Sequence, residues 1–123
     1  MNDNNIIKSI TFKIKAKNVD LGSTVGMVSQ GPRANLALAQ AFTRGADIQV
    51  LPTGNLEMFA TKIASLNGGD IFIEAGGSVK VGSRTVVLAD ATARGIFTVD
   101  PSDVTVIARG NIDVNGSRIA AYD

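Results

Sequence analysis

Asp90, Asp100 and Asp103, beside Arg94 and Arg109, are the side chains of this 123-residue chain whose types could act on a substrate. Enzymes that cleave polysaccharides need two carboxyls, one to protonate the leaving oxygen and one to serve as base or nucleophile. A basic group nearby completes such a site. Here the five candidates are spread from position 90 to position 109 with no unbroken acidic run, so a solvated, charged rim is the simpler reading. His and Cys are both absent. That removes the commonest general base, the commonest zinc ligand and every thiolate nucleophile. The expectation is a protein that is not an enzyme and carries no cofactor and no metal.

Other residues could bind without reacting. Lys13, Lys15 and Lys17 alternate with Phe12, Ile14 and Ala16, which on a strand puts all three ammoniums on one face. The wet face of an edge strand, guarded by charge against aggregation, is the first reading. Contact with an acidic glycan or with a partner's carboxylates is the alternative. Asp47, Asp70 and Asp103 recur at the head of similar segments. Calcium could bridge such a column, but Asx-type capping of backbone N–H groups is the simpler account. The calcium-binding nonapeptide pattern is missing, with only a partial Gly68-Gly69-Asp70. Gly76-Gly77 lacks the spacing and the Lys-Ser/Thr ending of a phosphate loop. Asn115-Gly116-Ser117 meets the glycosylation sequon but falls where a turn is expected.

The composition narrows the partners. A formal charge of +1 leaves no electrostatic footprint for nucleic acid or an anionic membrane, and no 18-residue apolar run is present for membrane insertion. The lack of Cys suits a cytosolic protein and equally a large bacterial secreted protein that avoids disulfides. Hydrophobic residues make up 45% of the chain, enough for one folded domain, but with no Trp, one Tyr and five Phe the core must be aliphatic.

What has to position these residues is an internal repeat. DIQVLPTGNLEMFATKIASLN from Asp47, DIFIEAGGSVKVGSRTVVLAD from Asp70 and DVTVIARGNIDVNGSRIAAYD from Asp103 align without a gap, each 21 residues long. Repeats of this length mark solenoids, in which a single copy cannot bury its own apolar face. Within each copy apolar residues alternate in short runs, the period-two signature of strands. Ile48, Ile71 and Val104 correspond, as do Val50, Ile73 and Val106, and then Leu56, Val79 and Ile112; these are the expected inner stacks. A third strand is marked by Ile63, Val86 and Ile119.

Between the first two strands of each copy, Gly54, Gly77 and Gly110 suggest a corner that needs positive φ. Asn55, Ser78 and Asn111 follow them, and the copies close on Asn67, Asp90 and Asp123. Short polar side chains stacked at equivalent corners can hydrogen-bond along the stack. A diverged fourth copy occupies 11–29, where Asn18-Val19-Asp20-Leu21-Gly22-Ser23 parallels Ser78-Val79-Lys80-Val81-Gly82-Ser83, and matching the rest of the copy requires deletions of about one residue. Residues 30–46 form an insertion with an Ala-rich centre, expected as a short helix or loop near 31–45. A second insertion, 91–102, is expected to add a short strand at Gly95 to Val99. Alternation alone also suits a β-sandwich, but strands there serve different edges and would not agree without gaps. The expected fold is all-β: one parallel β-helix domain over 1–123, with rungs of about 21 residues and three short strands per rung.

GGDIFIEAGGSVKVGS, Gly68 to Ser83, and SDVTVIARGNIDVNGSRIAAYD, Ser102 to Asp123, resemble the repeats of filamentous-haemagglutinin-type large exoproteins. The resemblance covers about the final two-thirds of the chain. It implies a right-handed parallel β-helix, exported across the bacterial outer membrane and used at the cell surface as adhesin or fibre. The chain departs from that pattern in being far shorter, in showing no signal peptide and in lacking the Asn-Pro-Asn-Gly-Ile signature of the family's secretion domain. It is also similar to bactofilins, which implies instead a cytoplasmic column polymerising end to end. Both lead to the same expectation: a structural subunit or segment that stacks on copies of itself through end rungs without caps, with surface glycans as a second class of partner.

Overall fold

A computed structural model of the chain describes residues 11–22, 26–29, 45–66, 68–82, 94–99, 102–114 and 117–122. The regular elements among them are twelve strands. In chain order these are β1 (Thr11–Ala16), β2 (Val19–Gly22), β3 (Met27–Ser29), β4 (Asp47–Pro52), β5 (Leu56–Met58) and β6 (Lys62–Ser65), then β7 (Ile71–Ala75), β8 (Val79–Lys80), β9 (Gly95–Val99), β10 (Val104–Ala108), β11 (Ile112–Asp113) and β12 (Ile119–Tyr122). They form three parallel four-stranded sheets, ordered β1-β4-β7-β10, β2-β5-β8-β11 and β3-β6-β9-β12. Each pass of the chain lays one strand in every sheet, and the next pass repeats the triplet above it. The described residues therefore form a parallel β-solenoid of four rungs, about 15–20 Å tall at the usual strand spacing.

The alternation in the sequence sets which side chains enter the column. In β4, Ile48, Val50 and Pro52 are buried while Asp47, Gln49 and Leu51 keep partial exposure. Like stacks on like: Ile48 on Ile71, Val50 on Ile73 and Leu56 on Val79. These six, with Met58, Ile63, Val81 and Ile96, are at most 2% exposed and belong to one core cluster, which among the described residues contains no aromatic ring. Burial of each such side chain contributes about 1.5–3 kcal/mol, so the central rungs carry most of the stability.

Register along the stack is less regular than an ungapped repeat implies. Asp47 lies below Asp70 at a separation of 23 residues, and Asp70 below Asp103 at 33. The extra length in the second step falls between β8 and β9. Accordingly Gly95–Val99 is a strand, as expected, but it is the third strand of its own rung, pairing with β6 on one side and β12 on the other. Ile96 thus stands between Ile63 and Ile119, in the column that the ungapped alignment assigns to Val86. Val86 itself lies outside the described residues, as do most of the 30–46 insertion, the helix or loop expected near 31–45, and Asn67, Asp90 and Asp123. The diverged first copy pairs as the alignment requires over Val19 and Asp20 and then slips by one residue. A bulge at Leu21, followed by Gly22 at φ 53°, absorbs the mismatch.

The third sheet also differs from a one-sided strand layer. Ile63 and Ile96 face the core, so by alternation Ala64 and Phe97 face away, yet these two are only 0% and 5% exposed. β6 and β9 are buried on both faces.

Candidate functional site

Two columns of short polar side chains run up the corners of the solenoid, and both are hydrogen-bonded in one direction. At the corner between the first and second sheets, the Asn55 N–H donates to Asn18 Oδ1 at 2.9 Å and the Ser78 N–H to Asn55 Oδ1 at 2.8 Å. The Asn111 N–H donates to Ser78 Oγ at 3.1 Å. At the corner before the first sheet, the Asp70 N–H donates to Asp47 Oδ1 and the Asp103 N–H to Asp70 Oδ1, each at 2.8 Å. A carboxylate that accepts such a bond is compensated for standing close to its like-charged neighbour. The expected Asx capping is thus present, directed to the rung above instead of to the residue's own turn.

The corner glycines serve these ladders in a way the expectation of positive φ does not describe. Gly54, Gly77 and Gly110 are absent from the left-handed region, whereas Gly26 and Gly95 adopt it at φ 94° and 101°. A Cβ at Gly54 would collide with Asn18 Oδ1, one at Gly77 with Asn55 Oδ1, and one at Gly110 with Ser78 Oγ. Glycine is required because the ladder oxygen of the previous rung passes where a side chain would begin. Positive φ is needed at another corner, the entry to the third sheet, where a Cβ on Gly26 or Gly95 would meet the backbone oxygens of Lys62 or Arg118.

At the fourth rung the columns lie open. Ile71, Ile73, Val79 and Ile96 are at most 1% exposed, whereas Val104, Val106 and Ile119 above them are partly buried and Ile112 is 45% exposed. Among the described residues, β10, β11 and β12 each pair on one side only. The Asp103 carboxylate and the Asn111 side chain stand at the ladder positions that, one rung lower, receive an N–H. Among the described residues none is donated to them. The first rung is mixed: Phe12 is 52% exposed although it shares a column with Ile48, whereas Val19, in the column of Leu56, is only 8% exposed.

The other residues singled out by type are dispersed. Asp90 and Asp100 lie outside the described residues. Asp103 precedes β10 and Arg109 follows it, which sets them about 20 Å apart along an extended strand. Arg94 borders β9 in another sheet, where its carbonyl oxygen accepts from Arg118 Nε at 3.2 Å. Arg118 also lies over the rings of Phe97 and Tyr122, at 4.5 and 5.3 Å, and donates to the Tyr122 hydroxyl at 3.0 Å. Lys13, Lys15 and Lys17 are exposed, the first two on the outward side of β1, which is an edge strand among the described residues. A shallow groove of about 270 Å³ follows the aspartate ladder past Gln49, Phe72 and Thr105. No group of three His, Cys, Asp or Glu that could hold a metal ion occurs among the described residues. No helix among them is long and apolar enough to cross a membrane.

Comparison with known proteins finds no matching family model, no matching curated protein and no matching solved structure. The class is accordingly set by architecture: a parallel β-solenoid whose polar corners are laddered and whose last described rung has an open edge.

Proposed function

We propose that the chain is a structural segment whose work is to stack: a self-associating β-solenoid unit of a bacterial fibre or adhesin at the cell surface. The observation that carries this reading is the change in burial between the third and fourth rungs, from a closed aliphatic column to one exposed at Ile112. An edge of this kind presents unpaired N–H and C=O groups beside apolar surface and favours another rung. Placement outside the cell follows the exoprotein-like wording of Gly68 to Ser83 and Ser102 to Asp123. A bactofilin-like cytoplasmic filament shares the same stacking edge and differs in compartment.

Negative-stain electron microscopy at rising protein concentration tests stacking directly. Thin fibres or short rods are expected, lengthening with concentration. Discrete particles of single-chain size at every concentration would overturn self-association.

A further inference from the structure

The inward face of the third sheet carries one column that is not aliphatic. Ser29, Ser65 and Thr98 share a register on β3, β6 and β9, two residues beyond Met27, Ile63 and Ile96 and on the same side of their strands. They are 8%, 0% and 0% exposed. Ser65 Oγ accepts the Gly69 N–H at 2.7 Å, whereas Ser29 Oγ and Thr98 Oγ1 are buried with no hydrogen-bond partner among the described residues. A hydroxyl taken out of water and left unbonded is costly, and an apolar side chain of the same shape would avoid that cost. Neighbouring strands repeat at about 4.8 Å, too far for stacked hydroxyls to bond one another. The same spacing suits a water molecule between them, since two hydrogen bonds of about 2.8 Å meeting at a bent angle span it. Ser29 and Ser65 also end one atom beyond Cβ, where the neighbouring inward column carries the longer Met27 and Ile63.

We infer that Ser29, Ser65 and Thr98 form an internal water site, in which one water bridges Ser29 Oγ to Ser65 Oγ and a second bridges Ser65 Oγ to Thr98 Oγ1. The donors and acceptors balance. Ser65 already accepts one N–H, so it donates its O–H to one water and accepts from the other through its remaining lone pair. Each water then has a hydroxyl on either side, the two polar partners that a buried water needs as a minimum. Water is the ligand, and not a cation, because the column offers three neutral hydroxyls and no carboxylate. The site lies inside the solenoid and does not depend on self-association.

Thr98→Val removes the hydroxyl with little change of shape, and oxygen-17 relaxation dispersion counts the waters held inside a protein for longer than it tumbles. The variant is compared with the wild type and with Thr98→Ser. The expected result is about one long-lived water fewer in Thr98→Val, with melting at a lower temperature, and a count restored by Thr98→Ser. Ser29→Ala supplies the same reading from the other end of the column should valine at position 98 prevent folding. An undiminished count overturns the water site, and melting above the wild type alongside it would mark the Thr98 hydroxyl as unpartnered.

Discussion

Ile73 and Gly77 show two different demands that the stack places on single residues. Ile73 is 0% exposed between Val50 and Val106, so Ile73→Asp buries a carboxylate with no cation to pair it. The cost exceeds about 4 kcal/mol, a large share of a small domain's stability, and loss of a cooperative thermal transition is expected. A soluble variant that melts as wild type does would contradict the core assignment. Gly77 has ordinary backbone geometry, yet an added Cβ meets Asn55 Oδ1 and the Gly54 oxygen. Gly77→Ala should therefore destabilise by about 1–3 kcal/mol through overpacking. Asn55→Ala removes only an exposed acceptor, and about 0.5–1.5 kcal/mol is expected. In the double variant the two effects should fall short of additive, since the Asn55 substitution deletes the oxygen that a Cβ at position 77 would strike. Chemical denaturation of the three proteins measures this coupling.

At the scale of strands, the alternation of apolar residues is sufficient to identify β4, β5, β7, β8, β10 and β11, because parallel stacking makes each rung repeat the same inside and outside. The same pattern places Asn55, Ser78 and Asn111 along one column. It fails for the third strand of the third rung. VVLAD, Val86 to Asp90, and GIFTV, Gly95 to Val99, are both short apolar runs, and local pattern does not distinguish which pairs with β6. The usable signal is Gly95, which shares a column with Gly26 at the entry to the third sheet, where both adopt positive φ. The outward burial of Ala64 and Phe97 is not legible in the sequence, since period two describes a strand covered on one face. Ile96→Ala checks the assignment: as a fully buried member of the column it should cost about 2–4 kcal/mol in denaturant unfolding. A loss below about 0.5 kcal/mol would show that β9 does not hold this place.

For the whole molecule, an edge of half-buried aliphatics and two directional ladders set stacking apart from association through surface charge. A contact made through that edge buries aliphatic surface and should persist as salt rises, where a contact driven by opposite charges would weaken. Light scattering across a salt series distinguishes these outcomes.

Stacking stands or falls on the fourth rung being an open edge that other rungs occupy, and sedimentation velocity of the wild type beside Ile112→Lys probes that edge with a single substitution. Ile112 is nearly half exposed in the single chain, so lysine there should leave folding and melting almost unchanged while placing a charge on the stacking edge. Concentration-dependent association of the wild type is expected, with at least a tenfold weakening in the variant. Equal association of the two proteins would mean that the fourth rung is not the stacking edge.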